Sequence, residues 1–280
     1  MSGILYLCAT PIGNLSDVSA RLIEILKEAD LIACEDTRRT LGLLNHFDIH
    51  KPLTSYHEHN KKEKGGYIIG LLKEGKKIAL VSDAGTPAIS DPGEDLVAMC
   101  IEEGITVTSV PGPVAAINAL ILSGISTKRF AFEGFLSVNN RHRKEHLTTV
   151  KNDTRTLIFY EAPHKLKNTL SDMATVFGED RRIALARELT KVHEEIQRMT
   201  LKEACEYYNE TNPRGEYVLI IEGAQEKADS DEAQWWSKME IDEHIEKYIN
   251  DGIDKKEAIK LCAKDRGMPK REVYNLYNRD

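Results

Sequence analysis

Several absences narrow what this 280-residue chain can be. Its five cysteines, Cys8, Cys34, Cys100, Cys205 and Cys262, are odd in number, scattered, and form no C-x-x-C pair. That pattern argues against a disulfide framework or a zinc site, and the thiols read as small buried apolar residues. No apolar run approaches the roughly 18 residues of a membrane span. Residues 4–9 are too short for a signal-peptide core and have no basic stretch before them. The expectation is a cytoplasmic protein with no membrane contact and no bound metal. Positive charge is also in deficit, the formal net charge being −7. A protein that coats nucleic acid is normally basic, so any nucleic-acid partner must meet local basic patches. Two nucleotide-binding signatures are missing as well. Without G-x-x-x-x-G-K-[ST] a P-loop hydrolase is disfavoured, and without G-x-G-x-x-G a standard dinucleotide site is unsupported.

What is present is an ordinary globular composition, 41% hydrophobic and 30% charged, long enough for one large domain or two small ones. Short apolar runs at 4–9, 31–34, 76–81 and 105–110 alternate with segments of helical period, with a polar, histidine-bearing stretch over 51–60 between them. Residues 1–125 therefore read as an α/β domain on a parallel sheet. Strand-like runs at 130–135, 156–160, 182–186 and 216–221 make a second, more mixed α/β domain over 126–223. In it Glu161 breaks a strand, and 138–150 is a polar stretch. Residues 224–234 are polar and acidic, an expected linker. The tail, 235–280, is helical. Trp235, Trp236, Met239, Ile241 and Ile245 fall on one amphipathic helix, Asp254-x-x-Glu257 resembles a capping box, and the turn Gly267-Met268-Pro269 suggests a helix-turn-helix-like unit. From Ile253 onward eight Lys/Arg face five Asp/Glu, a surplus of three positive charges. RNA contact and simple packing are both open for it.

Chemistry concentrates at the expected strand ends. The strand at 76–81 runs into Ser82-Asp83-Ala84-Gly85-Thr86-Pro87, and the loops at Thr10–Asn14 and Pro111–Ala116 occupy equivalent places. In a parallel sheet such loops converge on one crevice, and their small residues allow a ligand close to the backbone. Asp83 can meet a hydroxyl or a cation there; a tight turn with a helix cap is the plainer reading. Glu35-Asp36-Thr37-Arg38-Arg39 is a second strand end. Arginine pairs suit phosphate, and a carboxylate beside them can orient or deprotonate a hydroxyl. A helix start with acidic residues on its dipole is the alternative, although arginines so early oppose that dipole. His57-x-His59 suits a base, a hydroxyl-orienting group or an ordinary surface loop; a third metal ligand is missing. Lys61-Lys62 and Arg141-His142-Arg143-Lys144 are basic clusters that, with Arg38 and Arg39, would line a phosphate path.

Read in order, the stretches Ala9-Thr10-Pro11-Ile12-Gly13-Asn14-Leu15, Cys34-Glu35-Asp36-Thr37-Arg38, His57-x-His59-Asn60, 79–86 with Asp91-Pro92-Gly93, Pro111-Gly112-Pro113, Phe132-Glu133-Gly134-Phe135, Phe159-Tyr160-Glu161 and Ala186-Arg187-Glu188-Leu189-Thr190 resemble the tetrapyrrole-methylase superfamily. The first loop departs from that family's G-x-G-P-G-D, which disfavours a porphyrinoid substrate and fits its RNA-methylating branch. The resemblance implies two α/β domains with S-adenosylmethionine in the cleft between them, and a homodimer. It further implies methylation of a cytidine ribose 2′-hydroxyl in small-subunit ribosomal RNA. A tetrapyrrole methylase and a non-catalytic ribosome-assembly factor are the other readings. Cofactor positions carried over are Pro11, Ile12, Asp83, Ala84, Gly85, Thr86, Val114, Ala115, Ala116, Tyr160, Glu161, Ala186 and Leu189. Asp36, His57 and His59 are the candidates for orienting the hydroxyl. Arg38, Arg39, Lys61, Lys62, Arg141, Arg143 and Lys144 are the candidates for holding RNA.

Overall fold

The computed structural model describes residues 3–225, Trp236 and 239–278. Those residues fall into two compact units, Met1–Ala224 and Gln225–Asp280. The first unit holds two five-stranded sheets.

The first sheet consists of β1 (Ile4–Cys8), β2 (Leu31–Cys34), β3 (Leu53–Ser55), β4 (Lys77–Val81) and β5 (Thr106–Val110), all parallel, in the order β3-β2-β4-β1-β5. Its central strands are apolar on both faces, as a sheet covered on both sides requires. Leu5, Leu31, Ala33, Ile78 and Leu80 pack toward α3 (Lys61–Lys73) and α4 (Gly93–Glu102). The alternate residues Cys8, Ile32, Cys34, Ala79 and Val81 pack toward α1 (Ala20–Glu28) and α2 (Thr37–His46). The edge strand β3 was not expected in the histidine-bearing stretch. Helix α1 is capped by Ser19, and a single 3₁₀ turn, Leu15–Asp17, precedes it.

The second sheet runs β6-β7-β10-β8-β9, from β6 (Phe130–Phe135), β7 (Thr156–Glu161), β8 (Arg182–Arg187), β9 (Glu195–Thr200) and β10 (Tyr217–Ile221). Only β6 and β7 are parallel; the other pairs are antiparallel. Glu161 ends β7 and does not break it. The stretch from 140 is a helix, α6 (Asn140–Val150), packed with α7 (Leu166–Phe177) and α8 (Leu201–Glu210) on one face of this sheet. The other face is covered by α5 (Ala115–Leu122), whose Ala116, Ala119 and Leu120 meet Ile158, Ala184 and Ile220. This helix leaves the first sheet and packs on the second, tying the two together.

The second unit is three helices, α9 (Ile241–Asn250), α10 (Lys255–Asp265) and α11 (Lys270–Tyr277), around Ile245, Ile259, Cys262 and Val273. Trp236 and Met239 precede α9 and do not extend it; the indole lies flat on the His244 ring, 5.5 Å away. The expected linker from residue 226 onward, and Trp235, lie outside the described residues.

Candidate active site

The three strand-end loops of the first sheet are fastened to one another by backbone. The Thr10 N–H donates to the Gly85 carbonyl at 2.9 Å and the Gly85 N–H returns to Thr10 at 3.1 Å. The Thr86 hydroxyl donates to the Pro113 carbonyl at 3.1 Å. Gly85 holds φ +83°, and a Cβ there would lie 3.2 Å from the Ile12 side chain. Only glycine fits that crossing without strain. Opposite these loops stand the ends of β7 and β8 and the loop after β8. Between the two walls lies a cavity of about 670 Å³.

Most of the expected cofactor positions line it: Ile12, the run from Asp83 to Thr86, Val114, Ala115, Tyr160, Glu161, Ala186 and Leu189. Two stand behind it. Pro11 lines a smaller neighbouring cavity, and the Ala116 N–H donates to the Tyr160 hydroxyl at 3.2 Å. That bond fixes a ring already packed edge-on against Phe132, and burial pushes the Tyr160 phenol above its ordinary value. The Glu161 carboxylate is buried and fully engaged, accepting from the Ala162 N–H at 2.8 Å and the Thr169 hydroxyl at 2.6 Å.

The expected acceptor residues divide differently from the sequence pattern. Asp36 caps α2, accepting from the Arg38 N–H at 2.8 Å, and that bond holds its carboxyl below its ordinary value. Its neighbour Glu35 lines the cavity. Desolvation by the surrounding walls, and then the charges of Asp83 and Asp91, hold the Glu35 carboxyl above its ordinary value; His57 opposes them. Asp83 is committed on both oxygens, accepting from the Asp36 N–H at 3.0 Å and from Arg39 Nη1 at 3.0 Å. Arg39, expected on the RNA path, thus lies in the cavity with Asp83. His57 and His59 are not among its lining residues. The His57 ring is held by the Asn60 amide at 3.2 Å, and His59 is an exposed neighbour 6.0 Å from it.

The basic residues also separate. Arg38 is 93% exposed, and Lys62 and Arg141 are open to solvent, Arg141 pairing with Glu145 at 2.8 Å. Lys61 is bridged to Asp95 and Glu58, which hold its ammonium above its ordinary value. Arg143 is buried, with Nε 2.7 Å and Nη2 2.6 Å from Asp172, and it also donates to the Ser137 and Val138 carbonyls. Its guanidinium is a clamp between α6 and α7 and is not available to phosphate. Lys144 reaches the same Asp172 at 3.3 Å.

Sequence reasoning missed part of the opposite wall. Glu188 takes φ +51° and Thr190 φ +65°, and Lys191 bridges Glu188 at 2.9 Å and Glu216 at 3.3 Å. Glu188, Lys191 and Glu216 all line the cavity. The run Ala186–Thr190 carried a signal for Glu188; nothing in the pattern pointed to Lys191 or Glu216. Left-handed backbone at non-glycine residues costs energy and clusters at ligand sites.

Residues 5–205 match the model of the tetrapyrrole (corrin/porphyrin) methylases. The chain belongs to that family. Tetrapyrrole methylases use S-adenosylmethionine, and the cavity suits it: backbone groups at strand ends, apolar walls at Ile12, Val114 and Leu189, and a surplus of carboxylates for a cationic ligand. Among curated relatives, ribosomal RNA small subunit methyltransferase I of Halalkalibacterium halodurans is 53% identical, over 99% of this chain and 96% of that one. The protein of the same name from Bacillus subtilis is 51% identical, over 99% and 94%. Among solved structures, the uroporphyrin-III-C-methyltransferase of Thermus thermophilus superposes with a TM-score of 0.57 at 18% identity, covering 79% of this chain and 94% of that one. A diphthine synthase does so with a TM-score of 0.60 at 13% identity, covering 79% and 90%. At such identities these last two speak for the fold of this tetrapyrrole methylase alone.

Proposed function

We propose that this chain transfers a methyl group from S-adenosylmethionine to the ribose 2′-hydroxyl of a cytidine in small-subunit ribosomal RNA. The observation that carries the reading is the identity of about half, over nearly the whole chain, to relatives named for small-subunit ribosomal RNA methylation. The first loop, Ala9-Thr10-Pro11-Ile12-Gly13-Asn14, supports it by departing from the loop of tetrapyrrole-modifying members. We also propose, on the family resemblance, a homodimer working in the cytoplasm, and a two-domain division of the body near residue 125.

Bound in the main cavity, the cofactor supplies an electrophilic methyl on a sulfonium. The chain must align an acceptor oxygen with that methyl and exclude water, effects worth up to roughly 7–11 kcal/mol in favourable cases. Ile12, Val114 and Leu189 exclude water, while Asp83, held by Arg39, fixes the loop that grips the donor. Glu35 accepts the hydrogen of the attacking hydroxyl, a contribution of about 10²- to 10⁴-fold. Asp36 sets the start of α2, and the charge of His57 offsets part of the upward push on the Glu35 carboxyl. Arg38, Lys62 and Arg141 meet RNA phosphates.

The test gives purified protein radiolabelled S-adenosylmethionine with small subunits lacking the modification, or with tetrapyrrole precursors. Label in an alkali-resistant dinucleotide is the expected result. Label in a tetrapyrrole, or none in RNA despite tight cofactor binding, overturns the reading. Asp83→Ala should weaken cofactor binding, whereas Arg38→Ala should weaken RNA engagement and spare the cofactor.

A further inference from the structure

Beside the main cavity opens a second one of about 280 Å³. Pro11, Gly13 and Leu15 of the first loop form one wall, and Thr40, Gly42 and Leu43 of α2 form another. Ser82, Asp83 and Arg39 line both cavities. In-line transfer brings the acceptor oxygen to about 3–3.5 Å from the methyl carbon. The acceptor must therefore enter from a space that shares a wall with the donor's, as this one does.

The lining suits an unstacked nucleoside. Pro11, Leu15 and Leu43 are apolar, and the Arg39 guanidinium stands at the shared end. Guanidinium planes stack splayed-out RNA bases, and apolar side chains pack against a base flipped out of its stack. Leu15 is 43% exposed, an apolar side chain with no core of its own to join.

Gly42 adds an independent observation. It lies inside α2, where glycine is less favourable than alanine. Its backbone does not need glycine, since it is not among the residues of positive φ. Packing does not need glycine either, because a Cβ there would meet nothing within 4 Å. What its missing side chain provides is room in the cavity.

We propose that this second cavity receives the acceptor nucleoside, drawn out of the RNA, with Gly42 leaving space for it and Arg39 joining it to the donor site. The proposal rests on the reaction proposed above. It assigns α2 two duties, phosphate contact through exposed Arg38 and nucleoside seating one turn later.

The experiment uses the full-length protein with Gly42→Ala and Gly42→Leu. Melting temperature, S-adenosylmethionine affinity by calorimetry, and methyl transfer to unmodified small subunits are measured on each. Both variants should fold at least as stably as the parent and bind the cofactor within about twofold. Transfer should fall in a graded way, with kcat/KM for Gly42→Leu lower by about 10- to 200-fold, the range one misfitting group commands in a pocket. Full transfer by Gly42→Leu overturns the proposal. So does a parallel loss of cofactor affinity, which would assign the space to the donor. No transfer by the unsubstituted chain overturns the reaction itself, a result distinct from either.

Discussion

The two walls of the cavity keep their shape by different means. The first is made of strand ends stitched by backbone: the reciprocal bonds between Thr10 and Gly85, and the Thr86 hydroxyl on the Pro113 carbonyl. Where it departs from regular geometry, at Ala88 and Ser90, the half-buried Asp91 carboxylate holds it, accepting from the Ala88 and Gly93 N–H groups at 3.0 and 2.7 Å. The second wall is held by charged side chains. Glu188 accepts from the Glu216 N–H and from Lys191, and the Thr190 N–H donates to Glu194. Backbone ladders are indifferent to salt and to most substitutions, whereas partly exposed ion pairs weaken as ionic strength rises. The side-chain fixings of the second wall are therefore the ones that salt and substitution reach first.

The largest way to break that contrast is to remove chemistry from the first wall without disturbing its frame. Glu35→Gln keeps size and hydrogen-bonding capacity but cannot accept a proton. Expected is a loss of about 10²- to 10⁴-fold in kcat with cofactor affinity kept. The pH profile carries the sign. A carboxyl held above its ordinary value binds protons more tightly in the folded state, so its stabilising contribution is present below the unfolded value and lost as pH rises through the folded one. At neutral pH the charged form is therefore a burden on stability, and Glu35→Gln should not lower the melting temperature there. As pH falls, the parent should lose activity above the ordinary carboxylate range, and the variant should lack that limb. A variant with normal kcat and an unchanged limb would pass the role to another group.

A smaller break comes where the two walls touch. A Cβ on Gly13 would lie 2.4 Å from Lys191 Cγ, 2.8 Å from Thr190 Oγ1 and 3.0 Å from the Leu189 carbonyl. Gly13→Val must push the second wall back. Misplacement on the scale of 1 Å can cost about 10²-fold, so kcat/KM should fall by about 10- to 100-fold while the first wall and the fold survive. Since the first wall is stitched by backbone, amide exchange at Thr10 and Gly85 should stay slow and that near Leu189 should quicken. Equal quickening on both sides would erase the distinction.

How much of this could be read beforehand follows the same division. Apart from β3, the strands of the first sheet lie in short apolar runs, and β2 and β6 fall at their expected residues. Two edge strands, β3 and β9, were hidden because their side chains are half-exposed and break the pattern. The three residues of β3 sit in a polar stretch, and β9 reads Glu-Ile-Gln-Arg-Met-Thr. Helix α6 shows mostly polar residues because only Arg143 and Leu147 are buried along it. Helix α8 did carry a signal, the reciprocal Thr200–Glu203 capping box. At the site, identities on the loops were legible because they are local. That Glu35 lines the cavity while Asp36 caps α2 was not, because neighbours in a strand-end loop point in different directions. Nor was the inward turn of Arg143, which depends on Asp172 from another helix.

The smallest test falls on the second wall alone. Thr190 is β-branched yet takes φ +65°, and its hydroxyl is buried with no protein hydrogen-bond partner. Such a residue stores about 1–3 kcal/mol of backbone strain, against roughly 0.5–1 kcal/mol of chain entropy that glycine would lose on folding. Thr190→Gly should therefore stabilise the protein by about 1 kcal/mol, a rise of about 2–4 °C in melting temperature for a unit of this size. If the strain serves to hold the second wall ready, the same change should weaken S-adenosylmethionine binding, and more so at high salt, when the Lys191 pairs no longer help. A lower melting temperature would mean that Thr190 is held by contacts worth more than its strain, and the second wall would then be as rigid as the first.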